Sequence, residues 1–291
     1  MDFFQAIILG LVQGLTEFLP VSSSAHISIV GKLMGFDVSG DGSPGYTAFT
    51  AIIQIGTEIA ILLYFFKDIV RILGAWFKTF VTAIKSGPKK STSAKIGTDA
   101  TMGWLIILGT IPIVIAGVVL KTPIETIFRP LWLTAVMLIL FGIILYVSDK
   151  ISEQKNGLED LGTKSTVLFG LAQCLALAPG VSRSGATISA GRLLGFDRKS
   201  AAKFSFYLAI PSVFGAALLE LKSALGDVDG LGFPGWPATI IATVVSFVVG
   251  YIVIAAFMKA IERISFKGFA IYRVVLGALM LLLIFTGVLG A

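Results

Sequence analysis

The chain has one cysteine, Cys174, and one histidine, His26. Neither a disulfide nor a Cys/His metal cage can therefore form within a single copy. Charge is also scarce: Asp, Glu, Lys and Arg make up 14% of the 291 residues, while hydrophobic side chains make up 56%. Soluble domains carry about 25% charged residues, and a water-soluble chain of 30.8 kDa has nowhere to hide this much apolar surface. A mean hydropathy of +0.92 excludes disorder and points to a lipid-embedded protein. The basic start and small-residue cleavage site of a secretory signal are missing as well. The chain opens Met1-Asp2-Phe3-Phe4 and its first apolar run ends in Glu17 and Pro20, so this stretch reads as mature protein. The net charge of +6 comes from basic residues between apolar runs, which marks membrane topology and not a nucleic-acid surface.

Apolar runs are what the sequence has in excess. A hydrocarbon core about 30 Å thick takes roughly 20 helical residues. Six segments meet this with few or no charges: 48–66, 102–120, 131–147, 201–219, 237–258 and 269–290. Two further regions, 3–35 and 166–195, have the total length of a span but are broken by Pro20 with Ser22, Ser23 and Ser24, and by Pro179 with Ser182 and Ser184. Proline blocks a helix, and serines compete for its backbone. Both regions read as re-entrant helical hairpins, tolerated only where the broken backbone is buried in protein or lines a wet cavity. Residues 69–84, with Arg71 and Lys78 and then Lys85 just beyond, read as an interfacial amphipathic helix.

The two broken regions are copies. At an offset of 160, Gly10–Asp37 and Gly170–Asp197 are identical at twelve of 28 positions without a gap. Three spans follow each copy, and an odd number inverts the second half relative to the first. The expectation is an all-α polytopic membrane domain of two inverted repeats, 1–150 and 165–291. Loop charge fixes its orientation. Lys67–Thr101 holds seven basic residues, and Asp149–Lys164 and Lys259–Lys267 three each; Phe36–Thr47 has none, Lys121–Pro130 two and Glu220–Trp236 one. Lys and Arg gather on the cytoplasmic side, so both termini face out, and the hairpins enter from opposite sides.

This geometry would gather a polar constellation at the bilayer midplane. Gln13 and Glu17 lie four apart, on one helix face. Ser22, Ser23, Ser24 and His26 follow the first break; Ser182, Arg183, Ser184 and Thr187 follow the second. Both returning half-helices bring free N–H groups and positive dipole ends, which with Arg183 make an anion site suited to phosphate. Glu17 and His26 add proton transfer or metal ligation. Plainer roles stand beside these: His26 as a hydrogen-bonded structural residue, Glu17 as the ion-pair partner of Arg183, and the serines as helix-interface packing. Gly10, Gly14 and Gly170 suit close helix approach. Glu58, in a second Gln-x-x-x-Glu with Gln54, suits the cavity and a structural role equally.

The stretches Gln13-Gly14-Leu15-Thr16-Glu17-Phe18-Leu19-Pro20-Val21-Ser22-Ser23-Ser24-Ala25-His26 and Pro179-Gly180-Val181-Ser182-Arg183-Ser184-Gly185-Ala186-Thr187 resemble the two signature motifs of the bacterial undecaprenyl-diphosphatase family, the bacitracin-resistance type. The likeness runs over the whole chain. It implies hydrolysis of undecaprenyl diphosphate to the monophosphate and inorganic phosphate, recycling the lipid carrier of cell-wall synthesis. It also implies a bacterial cytoplasmic membrane, a site open to the extracytoplasmic face, and a divalent cation (Mg or Ca) with Glu17 as its ligand. Many members of the family carry Glu where this sequence has Gln13. Under this resemblance Glu17, Ser23, His26 and Arg183 are the catalytic candidates, with Ser23 as nucleophile or a metal-activated water in its place. Gln13, Ser22, Ser24, Ser182, Ser184 and Thr187 are the substrate-binding candidates. The partners expected are a polyprenyl diphosphate lipid and membrane lipids, without nucleic acid; a homodimer is left open. The competing function is a polyprenyl-phosphate transporter or flippase built on the same inverted-repeat pocket.

Overall fold

The computed structural model describes residues 1–36, 44–86, 98–120, 130–224 and 233–289. The described residues are all-helical and hold eleven α-helices. In chain order these are α1 (Phe3–Thr16), α2 (Ser23–Leu33), α3 (Pro44–Tyr64), α4 (Phe66–Ser86), α5 (Thr98–Val119), α6 (Leu131–Ile151), α7 (Thr163–Cys174), α8 (Arg183–Leu193), α9 (Arg198–Ala224), α10 (Trp236–Ala260) and α11 (Lys267–Phe285). Six of them, α3, α5, α6, α9, α10 and α11, are long and apolar enough to cross a membrane. They match the six segments expected from hydropathy, with shifted ends. The last helix stops at Phe285 and not near residue 290, where Gly287 turns the chain at φ +76°. The third from last runs on to Ala224, past the expected 219. The expected interfacial helix is α4, longer by a few residues at its start and end. It lies on α5, with Trp76 packed over Gly103, and is outside the set of candidate spans. Residues Lys89, Lys90 and Lys95, most of the connections 36–47 and 121–130, and residues 225–232 of the connection 220–236 lie outside the described residues.

The four short helices contain 14, 11, 12 and 11 residues, or about 21 Å at most at 1.5 Å per residue. None is long enough to cross alone. At the offset of 160 their backbones repeat as their sequences do. Ser22 and Ser182 both take positive φ (74° and 69°) at the entry to α2 and α8, a region that side-chain-bearing residues seldom adopt and that stores strain. Both helices end alike. Phe36 N–H donates to the Gly31 carbonyl and Gly35 N–H to Lys32; Phe196 N–H donates to Gly191 and Gly195 N–H to Arg192. These are the 6→1 and 5→2 bonds of a Schellman ending, with Gly35 and Gly195 at φ +83° where a Cβ would be strained.

The helices pack in exchanged pairs: α1 on α10 and α7 on α5, α3 on α10 and α9 on α5, with α6 against α11 and α3 against α9. Glycine makes the first two approaches close. A Cβ at Gly10 would sit 2.5 Å from the Ala242 carbonyl oxygen, and one at Gly170 2.5 Å from that of Gly109. The largest core lies between α9, α3 and α10 and takes in Phe18, which meets Phe206 edge-on at 5.8 Å. Phe18 therefore anchors the chain next to Glu17. At the far end of α8, buried Asp149 accepts from Arg192 Nε at 3.0 Å, from Arg198 at 2.9 Å through two bonds, and from Phe266 N–H at 3.2 Å. That knot ties α8 to α6 and to the start of α11.

Candidate active site

A broken helix leaves carbonyls and N–H groups that must find partners elsewhere. Here each break partly serves the other. Ser184 Oγ donates to the Leu19 carbonyl at 3.1 Å, and Gly180 N–H donates to Ser24 Oγ at 3.4 Å. Three further carbonyls of the breaks are served by Arg273, a fully buried side chain from α11. Its Nη1 donates to the Pro20 carbonyl at 3.2 Å, and its Nη2 to Gly180 and Val181 at 2.9 and 2.8 Å, while Nε reaches Leu138 at 3.3 Å. One guanidinium thus bridges both breaks and holds them side by side. The sequence reading passed over it. The signal available was a lone arginine inside an apolar span, which is costly there and marks a role by default.

The candidate reactive groups lie on this platform. Glu17 follows the last turn of α1, with its carboxylate surrounded by donors. Ser23 Oγ and Gln13 Nε2 both donate to Oε2, at 2.7 and 2.8 Å, and Arg183 Nη2 donates to Oε1 at 2.9 Å. The side chains of Glu17 and Arg183 are only 6% and 11% exposed, so this is a desolvated, charge-assisted pair. The ion pair offered as the plainer reading of Glu17 therefore exists, but it also includes a hydroxyl. Glu58 on α3 is fully buried, with Oε1 3.8 Å from the same Arg183 Nη2.

The remaining predicted residues divide. His26 lies one turn into α2, half-buried, with Nδ1 on the Ser22 carbonyl at 2.7 Å and Nε2 on Tyr272 Oη at 2.6 Å. Its ring stacks on that tyrosine. Among the described residues Ser23 is hydrogen-bonded to Glu17 and not to His26. Ser22 and Ser24 bond each other at 3.1 Å, as do Ser182 and Ser184 at 3.2 Å. Ser24 is exposed whereas Ser22, Ser182 and Ser184 are buried. Ser182 Oγ also caps α8 by accepting from Gly185 N–H at 3.1 Å. Thr187 is wholly buried, its hydroxyl on the Arg183 carbonyl and on Ser205. Partly exposed Ser23, Ser24 and His26 are thus the open side of the site; Ser182, Ser184 and Thr187 brace it from behind.

A divalent cation would find few resident ligands. Among the described residues no group of three or more His, Cys, Asp or Glu side chains is placed to hold one. Gln13 contributes an amide to Glu17, not a second carboxylate. Magnesium sites that handle phosphates use one or two carboxylates and draw the other ligands from phosphate and water. The donor set fits that pattern, with Glu17 as the carboxylate.

The chain matches the family model described as bacitracin resistance protein BacA over residues 6–279. It is 53% identical over 293 residues to an undecaprenyl-diphosphatase of Bifidobacterium adolescentis, covering 99% of this chain and 97% of that one. Similar proteins of the same name occur in Bifidobacterium longum, 50% identical over 100% of this chain and 97% of the relative, and in a Nocardioides species, 49% identical over the full length of both.

Proposed function

The chain belongs to the bacitracin resistance protein BacA family, and we propose that it hydrolyses undecaprenyl diphosphate to undecaprenyl phosphate and inorganic phosphate. The activity named for relatives about half identical over the whole chain is one support. The other is chemical, and it carries the reading: Ser23 Oγ donates to Glu17 at 2.7 Å, and Arg183 lies on the same carboxylate at 2.9 Å. A hydroxyl held by a desolvated carboxylate is a nucleophile with its base in place. A guanidinium beside it is what a transferring phosphoryl group needs, because phosphoryl transfer is mostly positioning and charge stabilisation.

Ser23 Oγ attacks the terminal phosphorus and its proton passes to Glu17 Oε2. The new O–P bond forms as the anhydride P–O bond breaks, and the electron pair leaves on the lipid monophosphate. Water then cleaves the phosphoserine: its oxygen bonds phosphorus as the Ser23 O–P bond breaks, Glu17 returns its proton to Ser23 Oγ, and the hydrogens of the water leave with inorganic phosphate. Arg183 Nη1 is buried without a hydrogen-bond partner, a donor that the phosphoryl oxygens would satisfy as the diphosphate seats. No side chain caps the N-terminus of α2, so its N–H groups are available there too. His26 serves the open side, held in place by Ser22 and Tyr272. Glu17 is the ligand this chain offers to a divalent cation, which when bound neutralises charge on the diphosphate.

The two broken helices enter a bacterial cytoplasmic membrane as hairpins from opposite faces, in two inverted halves, 1–150 and 165–291. Supports for this are the short helix lengths, the backbone repeat at the offset of 160, the exchanged packing pairs and the loop charges. The first hairpin then opens the site outward, and both termini lie outside. Phosphate release by the purified protein from a polyprenyl diphosphate in detergent tests the reading, with and without chelator. A lipid carrier that only transports releases none. Ser23→Ala should lose at least about 10³-fold in kcat, and acid quenching of the wild type should trap a phosphoserine. Retention of most turnover by Ser23→Ala would instead assign the attack to water.

A further inference from the structure

His26 and Tyr272 are the polar pair that this mechanism leaves without a task. Nδ1 of His26 lies 2.7 Å from the Ser22 carbonyl oxygen, and Nε2 lies 2.6 Å from Tyr272 Oη. A carbonyl only accepts, so Nδ1 carries the proton of the neutral ring and Nε2 takes the Tyr272 hydroxyl as its donor. Both ring nitrogens are then occupied. Among the described residues the ring bonds neither Ser23 nor Glu17.

The second hairpin shows what the ring replaces. There Ala186, the counterpart of His26 at the offset of 160, donates its N–H to the Ser182 carbonyl at 2.8 Å, an ordinary first bond of a helix. In the first hairpin the His26 N–H stands 3.4 Å from the Ser22 carbonyl, and the imidazole has taken that oxygen over at 2.7 Å. The carbonyl belongs to the peptide that joins Ser22 to Ser23. Ser22 is at φ +74°, a conformation that persists only where its surroundings enforce it. Ser23 Oγ, one residue on, meets Glu17 at 2.7 Å.

We propose that His26 and Tyr272 are positioning residues for the Ser23 nucleophile: Tyr272 holds the imidazole, and the imidazole holds the Ser22 peptide in the strained turn that aims Ser23 Oγ at Glu17. The inference rests on the phosphatase reading above. It gives α11 two adjacent grips on the first break, since Arg273 Nη1 holds the Pro20 carbonyl at 3.2 Å while Tyr272 holds the ring behind Ser22. A shuttle for protons would instead need a ring nitrogen turned to the substrate.

The test uses the full chain in detergent with polyprenyl diphosphate. Asparagine can place its Nδ2 donor where histidine has Nδ1, but it cannot carry a proton to and fro. His26→Asn should therefore stay within about tenfold of the wild-type kcat, while His26→Ala falls at least about 10²-fold, the cost of a misplaced reacting group. Tyr272→Phe keeps the ring that stacks on His26 and removes only the hydroxyl. It should lower kcat about tenfold with KM within about twofold. Combined with His26→Asn, which leaves no Nε2 for the hydroxyl to meet, it should cost nothing further. If His26→Asn is as slow as His26→Ala, the ring supplies a proton, worth about 10²–10⁴-fold, and the proposal falls. It falls equally if Tyr272→Phe keeps the wild-type rate, or if the paired losses multiply. Because His26 is the one histidine in the chain, nitrogen NMR of isotope-labelled histidine reads this ring without turnover. A neutral ring with its proton on Nδ1, and an Nε2 signal that moves in Tyr272→Phe, are expected. A proton on Nε2, or an unmoved signal, overturns the proposal, and these spectra decide it if the His26 variants do not fold. Wild type that releases no phosphate sinks the phosphatase reading, while the tie between Tyr272 and the ring still stands or falls on the spectra.

Discussion

Residues 22 and 182 hold the same strained serine at the head of the same short helix, yet the two hairpins carry opposite chemistry. In the first, Glu17 follows α1, Ser23 opens α2, and Ser22 leaves the helix N-terminus uncapped. In the second, the matching positions are Leu177 and Arg183, and Ser182 caps α8. The first hairpin offers acid, hydroxyl and free N–H groups on its open side. The second offers one cation, and its hydroxyls Ser182, Ser184 and Thr187 are buried. On the mechanism proposed, the two similar breaks divide into a reacting half and a charge-supplying half, and the reaction needs both at one place. That is why a buried arginine from outside either hairpin holds the two breaks together.

Removing that arginine should be the most damaging way to separate them. Arg273→Met takes the donors from the carbonyls of Pro20, Gly180 and Val181. Several buried acceptors then lose their partners, at about 1–3 kcal/mol each. A loss of roughly 3–5 kcal/mol is expected, read as a lowered midpoint in thermal unfolding, with phosphate release falling in the molecules that remain folded. An unaltered midpoint would mean that the hairpins hold each other without it. Arg183→Lys is the next smaller effect, felt in rate and not in folding. An ammonium cannot reach both carboxylate and phosphoryl oxygens as a planar fork does, so kcat should drop by about 10²–10³-fold, the loss typical of one oxyanion donor. Turnover close to wild type would show that the second hairpin does not supply the charge.

Much of this division is legible in the sequence. The spans follow from apolar length, the breaks from Pro20 and Pro179, and the copies from the offset of 160. The meeting of Glu17 with Arg183 follows from two hairpins facing each other, and the pair is 2.9 Å apart. Other features depend on packing between elements far apart in the chain, which local pattern does not encode. Arg273 reads as one charge in an apolar run until the breaks it bridges are in place. Tyr272, beside it, has no motif at all, yet it fixes the Nε2 side of His26 from 246 residues away. Thr187 stands in the second motif with the other hydroxyls, but its side chain turns inward to Ser205. Spacing puts a residue on a helix face; the neighbouring helix decides which way that face looks.

The smallest effect tests the asymmetry most directly. Ser182 Oγ accepts from Gly185 N–H at 3.1 Å, while Ser22 caps nothing and bonds Ser24 instead. Losing an N-cap costs about 1 kcal/mol. Ser182→Ala should therefore destabilise the protein by about that amount, and Ser22→Ala by clearly less, when the two are compared by thermal unfolding in the same detergent. The activities should run the other way. Ser22 borders the open side and its carbonyl holds His26 Nδ1, so the alanine there disturbs the site lightly through Ser24 and leaves α2 as uncapped as before. If the two substitutions cost the same stability, α2 is capped in solution after all, and the free N–H groups assigned to the phosphate would have to come from elsewhere.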